Sequence, residues 1–328
     1  MSLTLAIPSL NWPGSERLPP LDLPSFNRLL QFGKFNAHSR TRADFFADFL
    51  WSGSLLEAAK TALSVPQSQA AVLASPVWQQ MGMHSMSMLG GDAVAVSAAE
   101  ADTLCRGLSD FYAADGWQFH VYRPDLWLVT LPAQPDWQVP PVLDVLGQVD
   151  GTVRAAGSDG GSWLSIQTEI QMWLHSHAVN QSRLSDGQPA INGVWLWQDV
   201  SGSGDRQTVL ATDSVWASAC AAPHGNLPYD WAAWQRMQAD YPDAAQAVWF
   251  LPELTLAADT ADVWAYQRTL EEWERRFFAP AWAALCDGSL PRLTLLTDGE
   301  NGGSLTIKAK AGRAFWKKRK PFAGSMAV

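Results

Sequence analysis

The chain has 328 residues, 47% of them hydrophobic, with 32 acidic against 23 basic side chains and a formal net charge of −9. That is ample apolar material for one large α/β domain or two smaller ones without covalent staples, and an acidic body repels nucleic acid overall. Cys105, Cys220 and Cys286 stand far apart with no CxxC spacing, which speaks against a disulfide framework or a zinc knuckle and fits a reducing cytosol. No basic stretch leads into a long apolar run, and no window of about 18 apolar residues occurs, so a cytoplasmic location without membrane contact is expected.

Taken in chain order, Leu3 to Ile7 predicts a strand, Pro24 to Phe35 and Ala43 to Leu56 helices, and Ala70 to Ala74 another strand. Ser97 followed by Glu100 forms a capping box for a helix whose Leu104, Leu108, Phe111 and Tyr112 make an apolar stripe ended by Asp115-Gly116. Alternation over Trp117, Phe119 and Val121, a turn at Arg123 to Asp125, and the run Leu126 to Leu131 read as a hairpin. The proline-rich stretch Pro132 to Pro141 is the expected subdomain boundary.

Beyond it, a helix is expected from Ser162 to Ser182, a strand over Ile191 to Trp197, and a segment of undecided class from Val209 to Cys220. A helix over Trp231 to Asp240, a buried strand over Ala247 to Leu251 and a long helix from Asp262 to Cys286 follow, with Gly288 near its end. Leu293 to Thr297 and Ser304 to Lys308 flank the turn Asp298 to Gly302 as a last hairpin. The sum is an α/β chain with added antiparallel pieces. Its parts are 1–140, 141–310 and a basic tail, 311–328, with the first two allowed to form one continuous domain.

Charge is unevenly placed. Seven basic residues and no acid fall between Lys308 and Lys320, leaving 16 basic against 32 acidic residues elsewhere. Such a run is usually a solvated terminus, and its sharper reading is a contact for nucleic acid or an acidic protein. The 18 tryptophans are mostly expected in the core, Trp264, Trp273 and Trp282 on one helical pattern. Trp231 and Trp234, three apart on one helical face, admit a carbohydrate-stacking alternative.

GxSxG, GxxxxGK[ST], HExxH and GxGxxG signatures are all missing, while a triad assembled from distant loops stays open. His175 and His177 are two apart, so on a helix they diverge by about 200° and cannot share a metal. Trp163, Ile166, Ile170, Trp173, His177 and Asn180 would then share the inward stripe. His177 and Asn180 are either hydrogen-bonded core groups or part of a pocket at the helix end.

The stretches from Glu169 to Arg183, EIQMWLHSHAVNQSR, and from Gly187 to Trp197, GQPAINGVWLW, together resemble a proteobacterial family described as RpfE-type regulatory or cofactor-independent phosphoglycerate mutase-like. Pro76 to His84, PVWQQMGMH, and the basic Arg313 to Lys318, RAFWKK, are similar to two further landmarks of that family. Ala178 replaces a proline of its pattern, and Gln198 a glycine. The HxVN and WLW elements also resemble those of archaeal-type independent mutases in the alkaline phosphatase superfamily. That likeness implies a central mixed or mostly parallel sheet flanked by helices, an alkaline-phosphatase-like core, and phosphoryl transfer at a two-metal site with a Ser or Thr nucleophile and Asp and His ligands.

Here the first strand runs into Pro8-Ser9-Leu10-Asn11 in place of an Asp-Gly ligand turn, and no later Asp/His-rich ligand segment follows. The resemblance therefore implies a mutase-like protein without mutase activity and without a metal or other cofactor. It would be regulatory or bind an anionic small molecule in a pocket of His177, Asn180, Arg183 and Asn192, with Gln79, Gln80 and His84 lining the same cleft. Arg183 would hold the anion through its planar fork of donors. The alternatives are a divergent phosphotransferase or phosphatase using Mn or Zn, and a regulatory protein acting through its basic tail.

Overall fold

Leu3, Leu5 and Ile7 are fully buried while Ser2 and Thr4 are only half-buried, which is the two-residue period of a strand with one face in a core. The computed structural model describes every residue except 15, 83–84, 151–154, 205–207, 220–223, 242, 313–320 and 327–328. The chain runs β1 (Ser2–Ala6), α1 (Pro24–Phe32), β2 (Lys34–Ala37), α2 (Arg42–Leu50), β3 (Ser52–Ser54), α3 (Leu55–Ala62), β4 (Ala71–Met81), β5 (Ser85–Leu89) and α4 (Ala98–Phe111). It continues through β6 (Gln118–Arg123), β7 (Leu126–Thr130), β8 (Gly147–Asp150), α5 (Gly160–His175), α6 (Ala178–Ser185), β9 (Gly193–Trp197), β10 (Ser201–Ser203), β11 (Val209–Thr212) and β12 (His224–Gly225). The last elements are α7 (Trp231–Asp240), β13 (Gln246–Phe250), α8 (Glu253–Asp259), α9 (Val263–Trp273), a π-helical turn at Glu274–Phe278, α10 (Ala279–Asp287), β14 (Arg292–Thr297) and β15 (Gly303–Lys308).

These elements form two compact units, one of Met1–Gly53 with Gly202–Val328 and one of Ser54–Ser201. The expected boundary at Pro132 to Pro141 instead runs inside the second unit, where Gln138 pairs with Ala156 and Trp137 is buried. The 1–140 and 141–310 parts are therefore replaced by an insertion within a discontinuous unit.

The first unit holds a seven-stranded sheet in the order β12-β11-β13-β1-β14-β15-β2. Its β12, β11, β13, β1 and β14 are mutually parallel neighbours, while β15 and β2 close one edge antiparallel. Leu3, Leu5 and Ile7, with Ala247, Trp249, Leu293 and Leu295, turn one face into a core shared with α1, α7, α9 and α10. Strands buried in this way read as apolar runs, as the β13 segment QAVWF does.

Beyond the basic run, the chain end packs into this core. Phe322 and Met326 are buried, their N–H groups donating to Asn27 Oδ1 at 2.7 Å and Asn11 Oδ1 at 2.9 Å, and residues 313–320 lie outside the described residues.

The second unit is an antiparallel sheet in the order β6-β7-β4-β5-β8, with β9 also pairing β4. The expected hairpin of β6 and β7 is present, and the Ser97–Glu100 capping box opens α4. Its stripe is buried apart from Phe111.

Four expected helices differ in extent or number. The helix from Pro24 stops at Phe32, because Gly33 is extended and β2 pairs as an edge strand with β15. The helix over Ala43 to Leu56 is two: Trp51 is extended, Gly53 takes φ +77°, and Ser54 caps α3 by accepting from the Glu57 N–H. The helix over Ser162 to Ser182 breaks at Ser176 and His177 into α5 and α6. The long helix from Asp262 carries the π turn, and its Trp264 is 62% exposed while Trp273 and Trp282 are buried. Nine residues at about 100° each put Trp264 half a turn away from Trp273. Trp231 and Trp234 do not form a platform, since Trp234 is buried and both rings meet Trp249 edge-on, with centroids 6.0 and 5.3 Å away.

Candidate functional site

The residues singled out by the sequence lie in the second unit, and most engage their polar groups inside the chain. His177 has an extended ψ of 140° and caps α6, its Nδ1 accepting from the Val179 N–H at 3.2 Å. Its ring lies against Trp173, with centroids 4.5 Å apart, and burial holds its pKa below the usual imidazole value. It is therefore a cap between two helices rather than a member of one helical stripe, and His175 is an exposed residue in the last turn of α5.

Asn180 joins three segments. Its amide donates to the carbonyls of Leu174 at 2.9 Å and Ile191 at 2.7 Å, and its oxygen accepts from the Ile191 N–H at 2.8 Å. Asn192 extends the β4–β9 ladder, accepting from the Gln79 N–H at 2.7 Å and donating to the Gln79 carbonyl at 2.8 Å. The Gln79 side chain sits beside Gly193, Gln80 is exposed, and His84 lies outside the described residues.

Arg183 is 1% exposed. Its Nε donates to Pro189 O at 2.7 Å, its Nη1 to Glu100 Oε1 at 2.9 Å, and its Nη2 to Val94 O. Burial opposes ionisation of Glu100, but the Ser97 N–H and the Arg183 guanidinium outweigh it and hold that carboxyl below its ordinary pKa. In this structure Arg183, where an anion clamp is expected, is an internal tie: buried donors must find partners, and three of its N–H groups have acceptors within the chain.

The HAVN motif acquires a physical meaning here. Ala178 is the first residue of α6, where proline is favoured because its missing N–H has no intrahelical partner, and the extended His177 suits a following proline. Ala178→Pro is expected to raise stability by about 0.4–1 kcal/mol, read as a higher urea midpoint with an unchanged slope.

A second constellation, in the first unit, was not singled out as a site. In open α/β sheets ligands bind beyond the carboxyl ends of the strands, and there β13, β1 and β14 deliver Asp259, Ser9 and Asp298. Strands β1 and β14 are in parallel register from Leu3↔Leu293 to Ala6↔Leu296, so both leave the sheet at one edge. Ser9 follows with φ +58°, a conformation rare outside glycine, and donates its N–H to Asp298 Oδ1 at 2.7 Å. Asp259 ends α8, the helix after β13.

Arg42, in the first turn of α2, lies among them. Its Nη1 is 2.7 Å from Asp259 Oδ1, its Nη2 donates to Ser9 Oγ at 3.1 Å, and its Nε is 3.8 Å from Asp298 Oδ2. The loop after β14 is fixed to the start of α2 by the Gly299 N–H, which donates to Arg40 O at 2.9 Å. Burial raises the pKa of Asp259 and of Asp298, while the guanidinium of Arg42 opposes the rise in each.

The chemistry open to this cluster is narrow. A serine nucleophile is activated by a base or a metal, and the hydrogen-bond partner of Ser9 Oγ is the Arg42 guanidinium, a pure donor that cannot take its proton. Two divalent ions do not fit either. Among the described residues no three His, Cys, Asp or Glu side chains are grouped to hold a metal, and the space between Asp259 and Asp298 contains Arg42. Two clefts of the first unit, of about 410 and 210 Å³, have neither Ser9 nor Arg42 in their walls. The cluster is a packed polar knot.

No family model matches the chain, and no curated protein matches it. Solved structures do. The chain is similar to PH0037 protein from Pyrococcus horikoshii, with a TM-score of 0.50 and 9% identity over 98% of this chain and 91% of that one. It is also similar to a cofactor-independent phosphoglycerate mutase from Thermoplasma acidophilum DSM 1728, with a TM-score of 0.43 and 13% identity over 100% of this chain and 95% of that one. At this identity the likeness to PH0037 is one of fold. The fold class is mixed α/β, with parallel and antiparallel sheets flanked by helices, and among the described residues no helix is long and apolar enough to cross a membrane.

Proposed function

We propose that the chain is a phosphoglycerate mutase-like protein, of the RpfE-type regulatory kind and with an alkaline-phosphatase-like core, that does not catalyse phosphoryl transfer. One observation carries this reading: the hydroxyl that follows β1 accepts from Arg42, a fixed donor that also pairs with the neighbouring Asp259. The mutase-like part rests on the resemblance of the EIQMWLHSHAVNQSR and GQPAINGVWLW segments, and the fold shared with PH0037 is compatible with it. A protein of this kind acts by binding.

The test is a mutase and phosphatase assay of the purified full chain with Mn²⁺ and with Zn²⁺. No turnover above buffer is expected. Turnover that disappears in Ser9→Ala would overturn the reading and restore the metal-dependent enzyme. Binding through the basic run from Lys308 to Lys320 is the second reading, favoured by seven cationic residues in an acidic chain. Binding to nucleic acid or an acidic protein would then weaken steeply with salt.

A further inference from the structure

We infer that the guanidinium of Arg42 is the chain's own cation at the carboxyl edge of its parallel sheet, closing to divalent metal ions the position framed by Asp259, Asp298 and Ser9. Two carboxylates and a hydroxyl converge there from the segments that follow three adjacent parallel strands, β13, β14 and β1. Their oxygens are hard ligands of the kind that magnesium or manganese takes. A divalent ion between the two carboxylates would meet a fixed positive charge at hydrogen-bond range, and like charges so close repel strongly in a dry site.

The guanidinium also differs from a metal in what it fixes. It lies 2.7 Å from Asp259 and 3.8 Å from Asp298, so the pairing is lopsided, and Asp298 completes its bonding with the Ser9 N–H. The side chains of Arg42, Asp259 and Asp298 are 15%, 11% and 7% exposed, so water alone does not neutralise the carboxylates. Removing the guanidinium leaves two buried carboxylates and the Ser9 hydroxyl around a vacated space, which a small divalent cation can fill with oxygen ligands.

Metal uptake is read by equilibrium dialysis against Mn²⁺ with elemental analysis and electron paramagnetic resonance of the retained ion. Wild-type protein is expected to retain none. Arg42→Ala is expected to retain about one Mn²⁺ per chain, at least about tenfold more tightly than wild type, and Arg42→Ala with Asp298→Asn to lose it. Uptake by wild type that falls in Asp298→Asn, or a folded Arg42→Ala that takes up no ion, overturns the inference. Should Arg42→Ala fail to fold, Arg42→Gln keeps the stem without the charge. Mn²⁺ is then expected to raise the Tm of Arg42→Gln and not that of wild type, and an equal response of both overturns the inference. Uptake and turnover are measured separately, so either can fail without the other.

Discussion

Arg183→Ala is expected to lower the stability of the Ser54–Ser201 unit by about 3 kcal/mol, seen as a fall in the urea midpoint followed by tryptophan fluorescence. Three acceptors lose their donor at once: the carbonyls of Val94 and Pro189 and the carboxylate of Glu100. That carboxylate also completes the capping box of α4, so the loss extends from α6 to the first turn of α4. Arg183→Lys is expected to fall nearly as far, because one ammonium cannot span three acceptors held in a planar fork. Stability near wild type in Arg183→Ala, together with lost binding of an anionic metabolite, would return Arg183 to the role of an anion clamp.

Glu274→Ala is expected to cost the first unit about 2–3 kcal/mol. Glu274 opens the π turn and is buried, and its two carboxylate oxygens accept from the N–H groups of Ser25 at 2.8 Å and Phe26 at 3.0 Å. These are donors of the first turn of α1, whose own flanking residue, Leu23, supplies no side-chain cap. A carboxylate at a helix N-terminus also meets the positive end of the helix dipole. Truncation leaves both donors without their acceptor. Glu274→Gln keeps one acceptor oxygen and is expected to fall between Glu274→Ala and wild type in chemical denaturation, whereas equal midpoints for all three would deny Glu274 a capping role.

What the sequence showed well was local. The Ser97–Glu100 box, the β6–β7 hairpin, α7 and the β14–β15 hairpin follow from short-range patterning that needs no partner. Helix breaks were harder: the Ser52-Gly53-Ser54 segment between α2 and α3 lay inside an apolar helical pattern, the Ser176-His177 junction of α5 and α6 carries no strong breaker, and Ser54 and His177 leave the helix to provide a cap. The inserted unit was hidden for a related reason, since its crossings at Gly53 and Gly202 are small-residue stretches no different in kind from ordinary turns.

The candidate site was legible only in part. The motif around Asn180, Arg183 and Asn192 marked residues with fixed partners, and pattern alone does not tell a backbone carbonyl from a ligand. The cluster of Ser9, Arg42, Asp259 and Asp298 draws on positions as far apart as 289 residues. Its one sequence cue was that Ser9 and Asp298 each follow an apolar strand run, and the strand order that makes those runs neighbours is a tertiary fact.

The split course of the first unit bears on how the chain can be made. Strand β1 has as its neighbours β13 and β14, which begin at Gln246 and Arg292. On a ribosome adding about 5–20 residues per second, β1 therefore waits at least about 12–50 s for a partner. Throughout that interval Leu3, Leu5 and Ile7 have no sheet to enter, and before it ends the contiguous Ser54–Ser201 segment is complete and free to fold. Synthesis thus imposes an order, inner unit first and outer unit last, and makes the opening strand the stretch that most needs shelter by a chaperone before release.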